Sequence, residues 1–100
     1  MRLTVDIKGK SFPLEYKMGA QRLYRDRYGK ELEQIKSSTD MGEFLYCCMI
    51  CACRRECIKC DLTVDDFLDE LDMIQVADMF QKLLAEYVTV DKQPKKKDRP

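Results

Sequence analysis

The longest apolar stretch of the chain is Phe44 to Cys53, which reads FLYCCMICAC, ten residues without a charge, a glycine or a proline. A surface helix would interrupt such a run with a polar residue at every third or fourth position. A membrane span would need about 20 apolar residues, and Arg54, Arg55 and Glu56 end this one early. The surrounding pattern extends from about Met41 to about Ile58, a length that favours a helix over a strand. A helix apolar on all sides belongs inside a core. The pattern therefore predicts a central helix over about 41–58, with Leu45 and Ile50 buried and the other elements packed around it.

Upstream, Leu3, Val5 and Ile7 alternate with Thr4 and Asp6, and Phe12, Leu14 and Tyr16 alternate again beyond Lys8-Gly9-Lys10. Two period-2 runs around a glycine predict a β-hairpin over about 2–16. Pro13 cannot donate to a ladder, which makes its strand an edge. Ala20, Leu23, Tyr24, Arg27 and Tyr28 have helical spacing, so a helix is expected over about 18–28, closed by Gly29 at the left-handed position past its end. Leu32 and Ile35 fall in a second short turn or helix. Asp40 and Glu43 form a start signal like a capping box for the central helix. Downstream, Thr63 can cap a helix over about 64–71, with Asp65 and Asp66 in its first turn and Leu62 stapled on Phe67. Met73, Val76, Ala77, Phe80, Leu83, Leu84 and Tyr87 keep a 3–4 spacing that predicts a last helix over about 72–88. Asp91 to Pro100 holds nothing apolar and is expected to be a disordered charged tail. The fold expected is mainly α with a short N-terminal β-hairpin (α+β). It is one small helical domain over about 1–90, built around a central apolar helix.

Composition narrows the chemistry. The 100 residues hold 18 Lys plus Arg and 18 Asp plus Glu, a net charge of zero, so no general attraction to nucleic acid or acidic lipid follows. The alternating start lacks the basic and apolar regions of a signal peptide. The expected location is a cytoplasm, with the six cysteines as reduced thiols. Without a histidine no Ser-His or Cys-His nucleophile can form. The four glycines are scattered, which excludes a phosphate-cradling loop. No catalytic residues and no cofactor are assigned, and the chain is not read as an enzyme.

Cys48-x-x-Cys51 and Cys57-x-x-Cys60 have the pair spacing of zinc knuckles. On one continuous helix, however, Cys48 and Cys57 point about 180° apart and lie about 13.5 Å apart along the axis. They cannot share a tetrahedral ion at about 2.3 Å. Cys53, Cys57 and Cys60 share a stripe and are the alternative metal ligands if the helix breaks near Arg54. Otherwise cysteine serves here as a small core hydrophobe. The acidic run Asp61, Asp65, Asp66, Asp69, Glu70 and Asp72 lacks the glycine and spacing of a calcium loop. It reads as helix capping and a solvated face. Arg22, Arg25, Arg27 and Lys30 around Tyr24 and Tyr28 could meet nucleic acid, but zero net charge favours a plain solvent face.

The order of these elements carries a resemblance. The hairpin LTVDIKGKSFPLEY, a helix closing on YGKEL, the core helix, the acidic LTVDDFLDEL turn and a last amphipathic helix with a lysine-rich end resemble the tail assembly chaperones of long-tailed bacteriophages and prophages of Gram-positive hosts. The likeness spans about residues 1–90; the cysteine-rich core helix departs from it. The resemblance implies a non-enzymatic protein of the host cytoplasm that keeps the tape-measure protein soluble, helps recruit tail-tube protein and is absent from the mature virion. It also implies a longer frameshifted form, for which Lys95-Lys96-Lys97 could be encoded by a slippery run. An exposed apolar groove would be needed to accept a helix. Tyr24, Tyr28, Phe80 and Tyr87 are the candidate partner-binding residues, with core packing as their alternative role. Two other classes stay open: a small zinc-binding regulatory module and a basic-patch nucleic-acid binder. Homo-oligomerisation is also open.

Overall fold

The computed structural model describes residues 2–96, with side chains as far as Ala85. The order is β1 (Arg2–Ile7), β2 (Lys10–Glu15), α1 (Met18–Tyr28), a 3-10 turn (Leu32–Gln34), α2 (Ser38–Arg55), α3 (Val64–Asp69) and α4 (Met73–Lys96). The molecule is mainly α with a short N-terminal β-hairpin, as its periodicity predicts.

β1 and β2 pair antiparallel with Ile7 opposite Lys10 and Arg2 opposite Glu15. Lys8 and Gly9 both have positive φ, 51° and 82°, which is the two-residue type I′ turn whose twist matches that of the strands. Pro13 lies opposite Thr4; each strand of a two-stranded sheet has a free edge, so the missing donor is tolerated there. The hairpin buries Val5, Ile7, Phe12 and Leu14 against the helices.

α1 occupies the span expected of it. Gly29 follows with φ 71°, and its N–H donates to the Arg25 carbonyl at 2.8 Å. α2 begins earlier than expected. Ser37, not Asp40, is its cap, with Oγ accepting from the Asp40 N–H at 3.0 Å. The Asp40 carboxylate is engaged elsewhere, by Lys30 Nζ at 2.8 Å. Two groups competed for one set of amides, and the hydroxyl residue one turn earlier took them.

α2 also ends earlier, at Arg55 instead of about Ile58. Cys57 adopts φ 58°. The Ile58 N–H reaches back to the Cys53 carbonyl at 2.9 Å and the Cys57 N–H to the Arg54 carbonyl at 3.3 Å. This is a Schellman stop with cysteine where glycine is usual. The chain then returns along α2, pinned where the Tyr46 hydroxyl donates to the Leu62 carbonyl. Thr63 caps α3 through the Asp66 N–H at 3.1 Å, and α3 stops at Asp69, two residues short of the expected end. Asp72 and Gln75 exchange bonds between backbone and side chain, 2.8 and 3.1 Å, in a capping box for α4.

α4 runs to Lys96, past Val88 and across the first six residues of the stretch expected to be a disordered tail. Lack of apolar residues removes a reason for burial there, but not for helix, and no glycine or proline intervenes between Met73 and Gln93. The remainder of that stretch, 97–100, lies outside the described residues.

β2, α1, α3 and α4 all pack on α2. Ten of its eighteen residues are buried, including Phe44, Leu45, Tyr46, Cys47, Cys48, Met49 and Cys53, so the apolar run is the core helix. Ile50, expected to be buried with Leu45, is only partly so; even a central helix leaves a strip between its neighbours. Phe44 is the aromatic centre, 5.5 Å from Tyr16, 5.5 Å from Tyr24 and 5.9 Å from Phe80, ring centre to ring centre. At Gly42 the backbone of α2 lies against α3 so closely that a Cβ would sit 2.5 Å from Leu68 Cδ2. The C-terminal end of α2 is tied to the hairpin by two ion pairs. Arg2 is bidentate on Glu56, both contacts 2.8 Å, and Arg55 meets Glu15 at 2.9 Å.

Candidate partner-binding surface

α1 and α4 both lie on α2 and make little contact with each other. The seam between them is floored by Phe44, against which Tyr24 packs from one side and Phe80 from the other. Tyr24 is fully buried. It is a core residue and leaves the list of contact candidates, because helical spacing does not distinguish the depth of Tyr24 from that of Tyr28 one turn on. Tyr28 is half-buried, its ring 5.1 Å from that of Tyr24. Phe80, Met79 and Leu84 are half-buried on the α4 side. The side chain of Tyr87 lies outside the described residues. The seam thus presents Tyr28 and Phe80 as partly open aromatic edges on an apolar floor.

The electrostatics of the seam follow from burial. Desolvation, aided by the nearby carboxylates Asp40 and Glu43, pushes the Tyr24 hydroxyl up to about 12. That hydroxyl is buried with no hydrogen-bond partner. Burial likewise raises Glu43 above the usual carboxylate range, with Asp40 adding repulsion, and raises Tyr28. Burial thus disfavours the charged form of all three groups, which suits an apolar contact. Arg27 lies over the Tyr46 ring at 5.6 Å, so one arginine of the basic cluster covers an aromatic face.

The turn at Cys57 changes the cysteine geometry. Cys53 is buried, Cys57 exposed and Cys60 half-buried. Folding back brings the Cys60 thiol close to Cys53, whose own thiol burial pushes up to about 11. Cys47 is pushed up to about 12, and Cys48 is raised well above the ordinary thiol range, both by burial. Such thiols are poor nucleophiles and poor metal ligands, since both roles need the thiolate. Among the described residues no group of three or more Cys, Asp or Glu is arranged to hold a metal ion. Cys53 and Cys60 approach each other, but with exposed Cys57 they do not form a set of three ligands.

Four exposed apolar side chains were not singled out by the sequence pattern as surface features. Met18 is 70% exposed, Ile58 37%, Met73 66% and Ile74 80%. Ile74 had a signal, because it falls off the apolar stripe of α4. Met73 lies on that stripe but in the first turn, which overhangs the core. Among the described residues no helix is long and apolar enough to cross a membrane. No protein-family model matches the chain, and no curated protein or solved structure matches it either.

Proposed function

We propose that this protein is a phage or prophage tail assembly chaperone, which covers the apolar face of the tape-measure protein and helps bring tail-tube subunits to it. The observation that carries the reading is the seam between α1 and α4. Its apolar floor and half-open Tyr28 and Phe80 edges are suited to an amphipathic helix, and helix-in-groove recognition uses anchors of this kind. The order of elements, hairpin, helix, apolar core helix, short acidic helix and long amphipathic helix, supports it. A tape-measure protein is long and amphipathic, so it offers many equivalent segments, and several copies should bind along one chain. Such a protein would work in the host cytoplasm and leave before the virion is complete.

Co-expression with the cognate tape-measure protein is the test. The tape-measure protein should become soluble and co-purify with this chain. The complex should persist at high salt, because an apolar contact is little screened. Tape-measure protein that stays insoluble, with nothing co-purifying at low or high salt, overturns the reading.

A further inference from the structure

The loop that follows α2 stands on two thiols. Arg54 to Lys59 are consecutive exposed residues, whereas Cys53 before them is buried and Cys60 after them is half-buried. The left-handed turn at Cys57 reverses the chain, and the Ile58 N–H on the Cys53 carbonyl at 2.9 Å closes the loop at its base. Two residues further on, the Cys60 thiol lies close to that of Cys53. Both side chains belong to the core, Cys60 at its margin. Beyond Cys60 the returning chain is fastened again, where the Tyr46 hydroxyl donates to the Leu62 carbonyl. Backbone and side-chain bonds therefore hold the two thiols together from both sides.

The same loop fastens the hairpin. Arg55 meets Glu15 at 2.9 Å, and Glu56 holds Arg2 through two contacts of 2.8 Å. These ion pairs lie at the surface, where salt weakens them. A covalent tie across the base of the loop would fix the segment that carries both.

We propose that Cys53 and Cys60 are a redox-active pair, which closes to a disulfide and staples the loop to the end of α2. The oxidant is a low-molecular-weight disulfide. Cys60 begins the exchange, because it is the member of the pair that reaches solvent. Its thiolate attacks one sulfur of the reagent, the reagent's S–S bond breaks, and one small thiol leaves. The mixed disulfide now stands beside Cys53. Cys53 loses its proton to water, its sulfur bonds to that of Cys60, and the second small thiol leaves. Two hydrogens and two electrons have passed to the reagent, which departs as two thiols. Burial makes the second step the slow one, since the Cys53 thiolate is scarce. The same shielding then protects the finished bond from attack. Exposed Cys57 takes up the reagent too, but it forms no set with the other two and keeps its mixed disulfide. The pair does not rest on the chaperone reading.

Peptide mapping of the full chain, reduced and then incubated with oxidised glutathione, tests it. Trypsin cuts after Arg54, Arg55 and Lys59, so the three cysteines fall on separate peptides, 37–54, 56–59 and 60–82. Peptide 60–82 should be recovered joined to 37–54, and 56–59 alone or carrying glutathione. The link should be lost in Cys53→Ala and in Cys60→Ser, and it should persist in Cys57→Ser. The oxidised chain should unfold on the order of 10 °C above the reduced one, and added thiol should restore the lower midpoint. A chain that gains only mixed disulfides overturns the proposal, as does a bond between 60–82 and 56–59. A bond that lowers the midpoint also overturns it, because the native fold would then hold the thiols wrongly for closure. Should Cys53→Ala fail to fold, fragmentation of the linked wild-type peptide locates the bond. A bond at Cys47, Cys48 or Cys51 overturns the proposal.

Discussion

Tyr24 shows at the scale of one residue how the core tolerates a polar atom. Its ring packs edge-on to Phe44 at 5.5 Å and tilted to Tyr28 at 5.1 Å, and the side chain is wholly shielded from solvent. The ring is therefore valuable where it is. The hydroxyl is not, since it lost its water and gained no partner. A buried donor left unsatisfied costs about 1–3 kcal/mol. Tyr24→Phe keeps the ring and removes the oxygen, so it should leave the protein at least as stable and raise its denaturant midpoint by up to about 1 kcal/mol equivalent. A loss of more than about 1 kcal/mol would mean that the hydroxyl has a partner after all. Tyr28, one turn along, keeps an edge in the open, and so the same residue type serves packing at one position and contact at the next.

The stop of α2 is the instructive feature at the scale of elements. Cysteine at φ 58° is in a conformation that glycine adopts without a Cβ penalty, and an L-residue there costs roughly 1–2 kcal/mol. Cys57 is exposed and makes no core contact that would offset the strain. Cys57→Gly should therefore raise stability by about 1 kcal/mol, read as a higher thermal midpoint, once the extra freedom of glycine in the unfolded chain is deducted. This stop was not legible in the sequence, because the glycine that normally announces it is absent. The other elements were legible where a local signal was unique. The glycine of the hairpin turn, Gly29 after α1 and Thr63 before α3 each mark a boundary by their own chemistry. Where two signals competed, as Ser37 and Asp40 did, the pattern alone could not choose. The aromatic residues of the seam were found by spacing, but their depth was set by how α1 and α4 lie on α2.

For the whole molecule, the decisive arrangement is a single helix that every layer leans on. β2, α1, α3 and α4 each bury their apolar side against α2, and α1 and α4 scarcely meet each other. No pair of outer elements forms a core of its own. Such a molecule has no partly assembled form worth keeping, because withdrawing the hub strands all its clients at once. Its amide protons should report this in hydrogen exchange. Those of Phe44 to Cys53 should be the slowest, should exchange together, and should follow the same denaturant dependence as global unfolding. The amides of α3, held through few contacts and one threonine cap, should open earlier. If the α2 amides exchanged independently and well below the global free energy, the hub would be a loose strut. If they move as one, the protein is either whole or undone, and it has little room to carry a half-folded intermediate.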